Sequence, residues 1–437
     1  MRPFAILNAR LLDPESRLDA RGGLLVVEGR IADLGPQLDG RDLPADCEVL
    51  DADGRCLAPG LVDLRVRLGE PGYEHKERID TAVAAAAAGG FTSIAALPDT
   101  RPPVDDPAMV ESVARRARLL KSVKVYTWAA LTRGLEGREL AELGLLAEAG
   151  AIGATDADRQ VADARIMYRA LAYASVFDLL VQTHPEDASL ARGGVMNAGV
   201  VATRLGLAGV PRWAEIIALE RDLRLVEATG ARLHVAHITT AEAVAAIRDA
   251  KARGLPVTCD VTPHHLLLGE EEVEGWRTYA RIVPPLRTAR DRAALIEGLA
   301  DGTIDAVASD HTPQDQDSKR LPFAQAEPGT VGLETALAAV LELVHAGSLP
   351  WQRAIEVLST GPARILRLPA GRLTKGAPAD LVLFDPDERW TVTETGLHSL
   401  SKNTVFEGRT FRGRVLATWV DGRPVYPRFR TGLATSP

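Results

Sequence analysis

The stretch ARLHVAHITTAEAVAAIRDAKARGLPVTCDVTPHH, residues 231–265, decides the fold. ARLHVAH (231–237) reads as a short buried strand, TAEAVAAIRDAKARG as a helix and PVTCD (256–260) as a second strand. Two buried strands joined by a helix make one strand–helix–strand unit. Working outward, further strands fall at LVDLRVRL (61–68), FTSIAAL (91–97), VKVYTWAAL (123–131), AIGAT (151–155), FDLLVQTH (177–184) and TIDAVASD (303–310). Helical stretches such as ERIDTAVAAAAAGG and AEIIALERDLRLVEATG separate them. Eight such strands predict an α/β fold, a (β/α)8 TIM barrel, better than an open doubly wound sheet. No GxGxxG or GxxxxGK[ST] follows any strand, which weakens a nucleotide-binding sheet further.

Both ends of the chain are β-rich. GGLLVVEGRIADLG reads as a hairpin about Glu28-Gly29, and GRVLATWVDGRPVYP as another about Asp421-Gly422. GRLTKGAPADLVLFDPDERWTV (371–392) reads as strand, turn, strand. The expected division is a composite, β-sandwich-like domain from residues 1–55 and 366–437, with the barrel over 56–365. The 437 residues are 46% apolar and 25% charged, which excludes wholesale disorder. A net charge of −8 carries no footprint for nucleic acid. Cys47, Cys56 and Cys259 form no CxxC pair, as in a reduced, cytoplasmic protein. No signal peptide and no apolar run of roughly 18 residues is present, so no membrane partner is expected.

Barrel chemistry sits at the carboxyl ends of the strands. Those ends carry Arg65 and Arg67, Asp99, Asp156, His184, His234 and His237, Asp260, and Asp310-His311. A lone buried histidine is more often hydrogen-bonded core than a ligand. His184, His237 and Asp310 on three separate strand ends are different, because imidazoles and a carboxylate are the donors that hold Zn²⁺. Two long segments, 185–210 and 311–330, leave the same rim, and loops of such length are usually functional.

The ordered motifs PGLVDLRVRLGEPGYEHKE (59–77), THPED (183–187), LHVAHITT (233–240), VTPHHLLL (261–268), VPPLR (283–287), ASDHTP (308–313) and VGLET (331–335) resemble the amidohydrolase superfamily, above all dihydroorotases of the long bacterial type. GAPADLVLFDP (376–386) and NTVFEGRTFRGRV (403–415) are similar to that family's closing β segment. The resemblance implies a metal-dependent barrel hydrolase that opens or closes the dihydroorotate ring in pyrimidine synthesis.

Departures from the family pattern bear on that expectation. Where the family has His-x-His, with two metal ligands, this chain has Arg65-Val66-Arg67. The family's substrate-carboxylate Arg is Gly69, and its MPNT Asn is Asp99. Its NPPLR Asn is Val283, and the second His of its DHAPH is Gln314. Its bridging-acid segment reads Asp156-Ala157-Asp158. The vestigial metal positions are thus Arg65, Arg67, Asp156, His184, His237 and Asp310, and the vestigial substrate positions Gly69, Asp99, Val283 and Gln314. A guanidinium has no lone pair to donate. The expectation is therefore a site without a metal cofactor, with Arg65 and Arg67 paired to Asp310 and Asp156 as an ion-pair plug. The alternative is a single Zn²⁺ on His184, His237 and Asp310, with Asp310 the general base of a cyclic-amide hydrolase.

A chain of this kind is expected to be a pseudoenzyme. The resemblance implies a non-catalytic dihydroorotase-like assembly subunit for the aspartate carbamoyltransferase catalytic chain, in homo- and hetero-oligomers. The alternative is an active dihydroorotase or related ring-opening hydrolase.

Overall fold

The computed structural model describes residues 2–427. The amino-terminal segment supplies β1 (Phe4–Asp13), β2 (Leu18–Val27), β3 (Arg30–Gly35), β4 (Glu48–Asp51) and β5 (Cys56–Pro59). Glu28 and Gly29, with φ of 50° and 77°, make the two-residue turn between β2 and β3. Positive φ at both central residues matches the right-handed twist of the flanking strands.

The next elements form the barrel. β6 (Leu61–Val66), β7 (Phe91–Ala96) and β8 (Lys124–Thr127) pair in parallel. β9 (Gly153–Thr155) and β10 (Leu180–Thr183) follow; the two-residue strands β11 (Met196–Asn197) and β12 (Gly209–Val210) pair with each other within the long rim segment. β13 (Leu233–Val235), β14 (Val257–Val261) and β15 (Ala306–Val307) extend the parallel run. Single bridges, Ala129 to Ala154 and Val66 to His311, join the two runs at both seams and close the barrel. Trp128, wholly buried, fills the interior and donates its indole N–H to the Leu64 carbonyl at 2.9 Å. Closure with packed helices outside leaves one functional face, the rim at the strands' carboxyl ends.

β16 (Leu381–Thr391), β17 (Thr410–Val420) and β18 (Arg423–Pro427) return to the amino-terminal strands. One continuous sheet runs β18-β17-β16-β5-β1-β2-β3, with β4 also on β1. The junction is the antiparallel β5–β16 pair, from Cys56 opposite Phe384 to Pro59 opposite Leu381. Ile6, Leu11, Leu24, Leu57, Leu383 and Trp419 bury in one cluster beneath it. The two hairpin turns meet: a Cβ on Gly29 would lie 2.6 Å from the Asp421 carbonyl oxygen. Of the strand, turn and strand expected over 371–392, the second strand is β16, whereas residues 371–380 form no strand. They dock irregularly on β3, with Ile31 donating to Ala377 O at 3.0 Å and Gly376 to Ile31 O at 2.8 Å. Pro378 bridges Arg30 and, having no N–H to donate, leaves that contact a single bridge. Among the described residues no helix is long and apolar enough to cross a membrane.

Candidate active site

Arg65 lies in β6 and Arg67 just beyond it; His184 follows β10, His237 follows β13 and Asp310 follows β15. His237 and Asp310 have φ of 55° and 47°. Left-handed backbone at non-glycine residues costs of order 1–3 kcal/mol and persists where the surroundings impose it, commonly at functional sites.

The side chains converge. The fully buried Arg65 donates Nη1–H to Gln182 Oε1 at 2.8 Å and Nη2–H to Asp158 Oδ1, and its Nε stands 3.4 Å from Asp310 Oδ1. Arg67 donates to Asp99 Oδ2 at 2.7 Å, to Thr312 Oγ1 at 2.6 Å and to the second oxygen of Asp158. Asp158 therefore bridges both guanidinia, one oxygen to each.

Asp156, the acid expected to face the arginines, does not. Its carboxylate accepts from the backbone N–H of Leu131 at 3.0 Å and Thr132 at 2.9 Å, and from the Thr132 hydroxyl. Ala157 between the two acids has φ of 56°, so the chain reverses and only the second acid reaches the centre.

On the other side, Asp260 accepts from the backbone N–H of His237 at 2.9 Å, contacts His237 Nδ1 at 2.7 Å and lies 2.9 Å from His234 Nε2. His237 Nε2 lies 3.3 Å from Asp310 Oδ1. Burial alone would lower the His237 pKa, but Asp260 and Asp310 lift it to about 9. Burial would raise Asp310, yet His237 and Arg65 hold it at about 2. His184 is pushed down to about 4 by burial.

Above this centre opens a cavity of about 430 Å³ lined by Arg67, Gly69, Lys76, Asp99, Arg159 and Gln314, among others. Three vestigial substrate positions, Gly69, Asp99 and Gln314, thus share one wall system; Val283 is not in it. Gly69 has φ of 67°, and a Cβ there would lie 2.3 Å from Glu77 O. Gln182, Lys76 and Arg159 were not singled out from the sequence. Lys76 lies within the 59–77 motif and Arg159 adjoins the bridging-acid segment, but no pattern signalled either.

A parallel barrel with acids and imidazoles at its carboxyl rim, flanked by a sheet from both termini, is the architecture of a barrel hydrolase. A family model described as dihydro-orotase-like matches residues 54–243. Dihydroorotase of Syntrophotalea carbinolica is 46% identical over 421 residues, covering 96% of this chain and 98% of the relative. Dihydroorotase of Anaeromyxobacter sp. strain K is 46% identical over 423 residues, covering 96% and 97%. The L-hydantoinase (dihydropyrimidinase) of Arthrobacter aurescens superposes with a TM-score of 0.86 at 25% identity, over 98% of this chain and 97% of that one. The chain belongs to the dihydroorotase-like amidohydrolase family. The expectation of a non-catalytic assembly subunit is corrected here, because near-full-length relatives at 43–46% identity carry the name of a hydrolase.

Members of this family typically depend on a metal, commonly zinc. Here the donor set and the metal do not fit. Two of the positions that supply ligands carry guanidinium groups, and among the described residues no three His, Cys, Asp or Glu side chains are grouped closely enough to hold an ion. A unit charge about 4 Å from an arginine at an effective dielectric of about 20 is repelled by about 4 kcal/mol, and a dication by about twice that. No step is therefore routed through a metal.

Proposed function

We propose that this chain is a ring-opening cyclic-amide hydrolase of the dihydroorotase type, interconverting dihydroorotate and its open ureido acid. The observation that carries this is the 46% identity to dihydroorotases along almost the whole chain. Hydrolysis adds OH to the ring carbonyl carbon and H to the ring nitrogen. Asp310 is the base: its contacts with Arg65, His237 and Thr312 all fall on Oδ1. It takes a proton from water as the water oxygen bonds to the carbonyl carbon and the π pair moves to the carbonyl oxygen. When that pair returns, the C–N bond breaks with its electrons on nitrogen, which receives the proton from Asp310. A carboxylate held near 2 is a weak base, so turnover is slower than with a base poised near neutrality.

The test is dihydroorotate hydrolysis and ureido-acid ring closure by the purified chain beside Asp310→Asn. The native chain is expected to turn over at least about 100-fold faster than the variant. Equal rates would remove the hydrolase reading and leave that of a pseudoenzyme. The reading implies a cytoplasmic chain. Association with aspartate carbamoyltransferase is a separate proposal that only the motif resemblance supports; co-elution of the two chains at micromolar concentration tests it.

A further inference from the structure

We infer that Arg67, seated by Asp158 and Arg65, grips a ligand oxygen at this barrel mouth in the place of a divalent cation; only the ligand's identity rests on the ring-opening reading. Arg67 forms part of the wall of the 430 Å³ cavity, whereas Arg65 is sealed beneath it. A guanidinium has five N–H donors. Three of those of Arg67 are committed, one each to Asp99, Thr312 and Asp158, which leaves two. Held on three sides, the group is fixed before any ligand arrives, so little freedom is lost on binding. Arg65 acts through Asp158: it shares that carboxylate and is itself fixed by Gln182 and Asp310. Arg65 is thus a positioning residue for Arg67.

The rest of the cavity wall matches an anionic ligand. Lys76 and Arg159 line it; Lys76 Nζ stands 5.7 Å from the Tyr73 ring centre, and Arg159 donates Nη1–H to Leu135 O at 3.2 Å with its charge near Asp156. Of the acids on the wall, Asp99 and Asp158 are paired with arginine, Asp156 accepts from Leu131 and Thr132, and Glu327 stands exposed to solvent. A cyclic amide bearing a carboxylate has both features the wall asks for: a carbonyl oxygen for the Arg67 fork and a negative charge for Lys76 and Arg159. Gly69 cannot supply that charge, and its backbone leaves no room for a side chain.

The test has two arms on the full chain. In the first, native protein is incubated with excess Zn²⁺, desalted and analysed for metal. Retention of well under about 0.1 equivalent is expected; one equivalent retained overturns the inference whatever the turnover. In the second, dihydroorotate is titrated calorimetrically into native protein and Arg67→Gln. Affinity is expected to fall by about 10-fold or more, the scale of a lost charge-assisted hydrogen bond, and equal affinities overturn the inference. Should Arg67→Gln fail to fold, Arg67→Lys keeps the charge without the planar fork and is still expected to bind several-fold more weakly. A native chain that neither binds nor converts dihydroorotate counts against the ring-opening reading, while the zinc arm still decides this one.

Discussion

Two buried arginines stand close to the same rim and differ in how completely they are satisfied. Arg287 donates Nε–H to Thr239 Oγ1 at 3.0 Å and Nη1–H to Asn197 Oδ1 at 2.9 Å and Val210 O at 3.1 Å, and pairs with Glu215 at 3.7 Å. Glu215 in turn accepts from the backbone N–H of Thr239 at 2.8 Å. Around Arg65, by contrast, Gln182 Nε2, both nitrogens of His184 and Nε2 of His264 are buried without a hydrogen bond, and Arg65 Nε and His237 Nε2 meet Asp310 Oδ1 at 3.4 and 3.3 Å. Buried polar groups are normally paired, and exceptions need a reason. The Arg287 network ties β12 and the segment after β13 into a fixed rim. The Arg65 centre keeps unspent hydrogen-bonding capacity, as a site that handles water and a polar ligand must.

The comparison predicts unequal losses. Arg287→Ala strands Glu215, wholly buried, without a counter-ion. It is expected to cost about 3–5 kcal/mol in a denaturant titration. Arg65→Met removes an equally buried cation, but Asp158 keeps Arg67 and Asp310 keeps His237, so about 2 kcal/mol is expected. Equal losses for the two variants would erase the distinction drawn between them. The smallest effect belongs to a region remote from both. Gly29→Ala, at φ of 77° beside the Asp421 carbonyl, is expected to cost about 1 kcal/mol by the same titration and leave dihydroorotate turnover unchanged.

Much of the architecture was legible in the sequence because its signals are local. Eight apolar runs bounded by helices predict the barrel strands, and Glu28-Gly29 and Asp421-Gly422 announce their turns through residues that tolerate positive φ. Of the strand, turn and strand expected over 371–392, the second strand forms as β16 and the first does not, its place being taken by an irregular segment that meets β3 through a single bridge from Pro378 to Arg30. At the site, the Arg65-Val66-Arg67 replacement was plain, and alternation along a strand sends both side chains to one face. The acid they meet was not. Asp156 and Asp158 are equivalent on paper, and only the left-handed turn at Ala157 sends one to the backbone amides and the other to the arginines. The convergence of Lys76 and Arg159 was invisible for a similar reason, since facing a shared cavity is a property of the closed barrel.

The seam between β5 and β16 also sets a timetable for synthesis. β5 is complete at Pro59, yet its antiparallel neighbour does not begin until Leu381. At ribosomal rates of about 5–20 residues per second, the intervening chain takes roughly 16–65 s to emerge. Throughout that interval one edge of the nascent sheet has no strand to pair with, and such edges invite pairing with other chains. The barrel therefore has to be made, and largely folded, while its first sheet waits for the last.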